Sequence, residues 1–181
     1  MVVFKNKGKE NTAQTVELAV KAAKERGIEY IVVSSNTGET AKAFIGCGLK
    51  IICVSSAYGS REAGKNTLSD EMRSMLNEDG VSICTASHIL SGVERGISSK
   101  AQGMYPAEIM SHTLRMLSQG IKVAVEISIM ALDAGLIPYG EKVMVVGGSS
   151  SGADTAAVLT PAHAAHVFET KIHEIICKPE L

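Results

Sequence analysis

Short, continuously apolar runs alternate with longer amphipathic stretches along this chain. Residues 30–33, 51–54, 81–84 and 143–146 are apolar at nearly every position, the pattern of strands covered on both faces. Between them, Val16, Ala19, Val20 and Ala23 recur at helical spacing, as do Leu68, Met72, Met75 and Leu76. Asn11, with Gln14 three residues on, predicts a capping box at the start of the first helix, and Gly27 predicts its end. A short helix is expected from about residue 41, after a polar loop. Pro106 predicts the first position of a helix running to about residue 118. Residues 123–134 predict a second helix, apolar nearly all round and therefore central. Residues 85–105 are rich in Ser and Gly and read as irregular, and the tail over 166–177 reads as one or two edge strands. The alternation of strand and helix predicts the α/β class, and 181 residues without a linker predict one domain over 1–181.

Composition narrows the function. The net charge is −1, no basic stripe is present, and the aromatics are three Phe, four Tyr and no Trp, so a nucleic-acid partner is not expected. The longest strongly apolar stretch, 123–129, is interrupted by Glu126, and no membrane association is expected. The first residues lack a signal-peptide pattern, so a cytoplasmic location is expected. Cys47, Cys53, Cys84 and Cys177 form no CxxC pair and no zinc spacing; Cys53 and Cys84 read as small reduced core residues. His163 and His166 are three apart after Pro161, but no spacing supplies a third ligand, so no metal is expected. The Met- and Ala-rich helices offer a face for self-association, and a homo-oligomer is an expectation on that ground.

Two loops carry the strongest chemical signal. Ser34-Ser35-Asn36-Thr37-Gly38-Glu39-Thr40 and Gly147-Gly148-Ser149-Ser150-Ser151-Gly152-Ala153-Asp154-Thr155 each follow an apolar strand, and each is expected to open a helix. Glycine lets a backbone approach a ligand closely, and hydroxyls with helix N-terminal N–H groups satisfy phosphate oxygens without a cation. Turns and N-caps use the same residues, so one such loop alone says little; two in equivalent positions point to a phosphorylated ligand. Neither loop is a P-loop or a GxGxxG motif.

Other constellations have a plain reading beside the chemical one. Gly148-Ser149-Ser150-Ser151-Gly152 matches GxSxG, which raises a Ser150 hydrolase as an alternative. That fold needs an acid and a histidine on later strand ends, and only 29 residues follow Gly152 (through residue 181). Glu126 and Asp133 are seven apart on the most apolar helix and so share a face. Either each is paired with backbone or a cation, or they face a ligand. His88, just beyond the third predicted strand, is either a polar ligand contact or a loop histidine, and Tyr58 either stacks on a flat ring or covers an apolar edge.

The segment from 30 to 56, YIVVSSNTGETAKAFIGCGLKIICVSS, resembles the start of the pyruvate kinase C-terminal domain. ENT (10–12), SHILSGVERG (87–96), QGIKVAVEISIMALDAGLIP (119–138) and VGGSSSGADTA (146–156) are similar to the stand-alone pyruvate kinase alpha/beta domain proteins of archaea and bacteria. The resemblance implies a three-layer α/β/α sandwich with a five-stranded, mostly parallel sheet in the order 3-2-1-4-5, strand 5 antiparallel. In that order the two loops flank the switch point, where open α/β sheets bind ligands. A relative in this family is understood to carry flavin mononucleotide (FMN) in that crevice, so FMN is the implied cofactor. Carried over, Ser34, Ser35, Asn36, Thr37, Gly38, Glu39 and Thr40 would hold its phosphate. Gly147, Gly148, Ser149, Gly152, Asp154 and Thr155 would line the other side, with His88 and Glu126 nearby. Some larger relatives hold a sugar-phosphate effector there, so a regulatory module without chemistry is the alternative. The resemblance implies no defined reaction, and without the pyruvate kinase catalytic barrel kinase activity is not expected.

Overall fold

Alternate residues of the central strands enter two separate cores, which is why those strands are apolar without interruption. The computed structural model describes residues 1–180. In β2 (Tyr30–Ser34), Ile31 and Val33 pack with Ala19, Ala22 and Ala23 of α1 (Thr12–Glu25), while Val32 packs with Ala124 and Ile127 of α6 (Gln119–Asp133). β3 (Lys50–Ser55) and β5 (Val143–Gly147) divide in the same way: Cys53, Met144 and Val146 lie on the α1 side, and Ile52, Val54 and Val145 on the α6 side. Helix α2 (Glu39–Lys42) and α3 (Asp70–Glu78) share the α1 face, where Ala41 and Leu76 are buried, and α5 (Pro106–Arg115) packs beside α6. The result is the expected α/β/α sandwich.

Among the described residues the sheet has seven strands, not five. β1 (Val2–Phe4), β4 (Ser82–Thr85), β6 (Thr155–Thr160) and β7 (Lys171–Pro179) complete the order β1-β7-β6-β5-β2-β3-β4. The implied order 3-2-1-4-5 is the part β4-β3-β2-β5-β6, and β6 is the antiparallel strand, paired on both sides. The tail strand β7 is not an edge, because β1 adds to it in parallel. The chain leaves β2 toward β3 and returns at β5 on the other side, so Ser34 and Gly147 end neighbouring parallel strands at the switch point.

Five local readings change. Asn11 does not form a capping box: its backbone is already helical, and its side-chain amide donates to the carbonyls of Asn6 and Gly8. Helix α6 starts at Gln119, earlier than its apolar run, because the Ser118 hydroxyl accepts from Ile121 N at 3.0 Å. Residues 92–101, read as irregular, form α4 (Gly92–Ala101), and α5 ends at Arg115 rather than near 118. Gly147–Thr155 opens no helix, since the chain turns directly into β6. Gly27 does end α1: with φ at +65° it supports the paired bonds Ile28 N to Ala23 O and Gly27 N to Lys24 O.

Candidate functional site

One hydroxyl of the first loop is spent on the loop itself. The Ser35 hydroxyl, buried, accepts from Thr40 N and Ala41 N at 3.1 and 3.2 Å and so caps α2 from within. The N–H groups of Thr40 and Ala41 are therefore already satisfied. Gly38 has φ at +90°, and a Cβ there would overlap Met72 of α3; its conformation and the contact explain the glycine. Thr40 is buried, and Thr37 and Glu39 are exposed and do not line the cleft. Ser34 and Asn36 are the two residues of this loop that line the cleft at the switch point.

The second loop is likewise fastened from inside. Asp154, fully buried, accepts from Gly8 N at 2.8 Å, from Ser149 N at 3.2 Å and from the Thr155 hydroxyl at 2.8 Å. It thus ties the N-terminal segment, the loop and β6 together. Thr12 Oγ1 accepts from Ala153 N, and a Cβ on Gly152, whose φ is +68°, would overlap that hydroxyl. Gly147 lies against the Gly120 carbonyl. Gly147, Gly152, Asp154 and Thr155 are thus packing residues away from the cleft, whereas Gly148, Ser149 and Ser150 line it. Because the strand after Ser150 replaces the helix that a nucleophile elbow requires, GxSxG here is a turn.

The chemistry gathers instead on α6. Glu126 is 1% exposed and accepts three hydrogen bonds: Lys122 Nζ at 2.6 Å, His88 Nδ1 at 3.0 Å and Leu90 N at 3.0 Å. Burial pushes its carboxyl up, but the His88 hydrogen bond and the Lys122 charge outweigh burial and hold it below its ordinary value. Glu126 is thus paired with a cation and backbone, and it also lines the cleft. Asp133, at the far end of α6, instead accepts from His163 Nδ1 at 2.7 Å and Ala164 N at 3.2 Å. With the Glu126 carboxylate on Nδ1, that nitrogen carries the proton. His88 Nε2 is then left buried and without a partner among the described residues, although His88 lines the cleft. A neutral ring would accept there and a protonated ring would donate.

Comparison with known protein families matches residues 13–159 to the pyruvate kinase alpha/beta domain. The chain belongs to that family. The matched span runs from α1 through β6 and contains the whole cleft. In this pyruvate kinase alpha/beta domain the cleft measures about 610 Å³, within the range of small-molecule sites. Its cations are Lys122, Arg115 of α5 and Arg95 of α4, with His112 at the rim, and its carboxylates are Glu108 and Glu126. Hydroxyls come from Ser34, Ser91, Ser98, Ser99, Ser111, Ser149 and Ser150.

Sequence reasoning picked Ser34, Asn36, His88, Glu126, Gly148 and Ser149 of this wall and missed Arg95, Arg115 and Lys122. Lys122 had a signal: it is the only cation of α6 and stands four residues before Glu126. Arg95 had none, because α4 buries no residue and lies in a Ser- and Gly-rich stretch. Tyr58 is exposed and lies outside the cleft wall. Among the described residues no group of three or more His, Cys, Asp or Glu is placed to hold a metal, and no helix is long and apolar enough to cross a membrane.

Proposed function

We propose that the cleft between β2, β5 and α6 binds a phosphorylated small molecule. The observation that carries this reading is the unmet hydrogen-bonding capacity at the switch point. Lys122 uses one described partner, Glu126, and His88 Nε2 has none, with two arginines and a rim of serines around them. Buried polar groups of this kind are normally satisfied, and a ligand would satisfy them.

FMN is the specific candidate that the resemblance implies. Its phosphate would find Arg95, Arg115 or Lys122, and its ribityl hydroxyls would find the serines. Its ring would find only Leu90 and Val123 as apolar side chains of the wall. When bound, a flavin would supply redox chemistry, and the protein's part would be to orient and tune it. The polar wall favours a second reading, a sugar phosphate bound by a regulatory module, because a sugar needs hydrogen bonds on every side and no flat apolar slot.

The test is a visible absorption spectrum of freshly purified protein, mass spectrometry of what heat releases, and calorimetric titration with FMN and with a hexose phosphate. A flavin spectrum with the mass of FMN supports the first reading. Binding of the hexose phosphate but not of FMN supports the second. Binding of neither overturns the proposal.

A further inference from the structure

One apolar surface takes no part in the cleft. Helix α5 turns one side to the cleft and the other to a groove of about 560 Å³, where Ile109, Met110 and Leu114 meet Val125 of α6 and Ile172 of β7. Among the described residues no charged side chain lines this groove. Pro106, Ile109, Met110 and Leu114 recur at the spacing of one helix face, and that face is wider than the core covers. Met110 and Leu114 pack against the core on the α6 side, whereas Ile109 is 51% exposed.

Beside the groove stands Phe168, one of three phenylalanines in the chain and 92% exposed. Its segment, the turn Ala164–Glu169 between β6 and β7, is fastened at both ends. At the entry, Asp133 accepts from His163 Nδ1 at 2.7 Å and from Ala164 N at 3.2 Å, and the Tyr139 ring stacks on His163 with centroids 5.5 Å apart. At the exit, the Thr170 hydroxyl accepts from Ala162 N at 3.1 Å. Between them, Val167 packs against the core on the α6 side. The ring is thus held out in water on a fixed support, so little ordering remains to oppose its burial in a partner.

A projecting ring and an apolar groove side by side on one face are the two halves of an isologous contact. A two-fold axis places each copy's ring in the other's groove. The charges agree with a second copy as the occupant. Glu169 and Lys171 are exposed, opposite in sign and separated by Thr170 of the groove wall. Lys171 has no ion pair among the described residues, and Glu169 meets only His166, at 3.6 Å. A two-fold passing near Thr170 sets each lysine against the partner's glutamate. The net charge of −1 also gives two copies little mutual repulsion. An amphipathic helix from another protein would use the groove but would not need the ring beside it.

We propose that two copies of this chain dimerise through this face, with Phe168 as the anchor and the groove as its receptor. The self-association expected from the sequence thereby gains a defined surface. The cleft lies on the other side of α5, outside the contact.

The test is sedimentation velocity over a dilution series of the full chain and of its Phe168→Ala, Ile109→Ser and Tyr58→Ala variants. Phe168 and Ile109 are exposed, so neither substitution opens a cavity in the core. Tyr58 is a comparably exposed aromatic that does not line the groove. The unaltered chain should sediment with twice the mass of one copy. Phe168→Ala and Ile109→Ser should each weaken the dimer about tenfold or more, as loss of a central interface contact does, and Tyr58→Ala should leave it within about twofold. A monomer throughout the series overturns the proposal and leaves the groove to a different protein. A dimer that survives both groove-face substitutions, or that Tyr58→Ala weakens equally, also overturns it. So does an assembly larger than two, because a two-fold contact closes at the dimer.

Discussion

Lys122 and Glu126 stand one turn apart on α6 and form a 2.6 Å ion pair that is almost wholly buried in the floor of the cleft. A buried pair of this kind is weak evidence for stability, because the cost of desolvating two charges offsets their attraction. Its partners therefore matter: Glu126 also holds His88 and Leu90 N, so it fixes the segment after β4 against α6.

Removing one member leaves the other charge buried alone. Lys122→Met or Glu126→Ala should each destabilise the fold by about 3–5 kcal/mol in urea unfolding. The double variant Lys122→Met with Glu126→Met should be more stable than either single one, because neither charge is then stranded.

The pH dependence follows from the Glu126 carboxyl. Its folded pKa is depressed by His88 and Lys122 despite burial, so the unfolded chain takes up a proton first as pH falls. The stability Glu126 contributes is complete above its ordinary carboxylate value and is lost as pH drops below it, through the depressed folded value. The urea midpoint should fall over that acid window in the unaltered protein. Glu126→Gln should remove this component of the slope.

Ser35 should act on the fold and not on the ligand. Ser35→Ala removes the hydroxyl that caps α2 and should cost about 1 kcal/mol of stability. Ligand affinity should change by less than about twofold, and Thr37→Ala should leave both properties unaltered. A large affinity loss in either variant, read by calorimetry, would return the phosphate to this loop.

Cysteine reactivity should follow burial. Burial pushes the Cys53 thiol up to about 12 and the Cys177 thiol to about 11, and Cys84 is also raised. Cys47 is partly exposed. A thiol reagent should modify Cys47 in the folded protein and reach the other three only on unfolding, as peptide mapping would show.

The legible parts of the sequence were those where one physical demand dominates. β2, β3 and β5 are buried on both faces, so their apolar runs announced them. β6 did not announce itself, because TAAVLT follows a Gly-Ser turn and its alanines and leucine suit a helix equally well. α4 was hidden for a different reason. Gly96, Ser98 and Ser99 are poor or neutral helix formers, and the helix is held by polar contacts: the Ser98 hydroxyl donates to Glu108 and Glu108 N donates to Glu94. The motif loops were legible, and the structure shows that Asp154 and Ser35 fasten the fold there. Asp154 and Ser35 look like ligand groups in sequence because a buried staple and a ligand contact use the same chemistry, an oxygen accepting backbone N–H bonds. Only the partner distinguishes them, and the partners, Gly8 and Thr40, become visible only in three dimensions.

Arg95 lines the cleft, and no described carboxylate pairs with it. The most direct measurement is the affinity of FMN and of a hexose phosphate for the unaltered chain and for Arg95→Ala. At least one of the two should bind the unaltered chain and lose about tenfold or more in affinity in the variant, as expected for a charge-assisted contact. Equal affinity in both proteins would contradict a phosphate contact at Arg95, and no binding of either compound would contradict a phosphorylated-ligand site at this cleft.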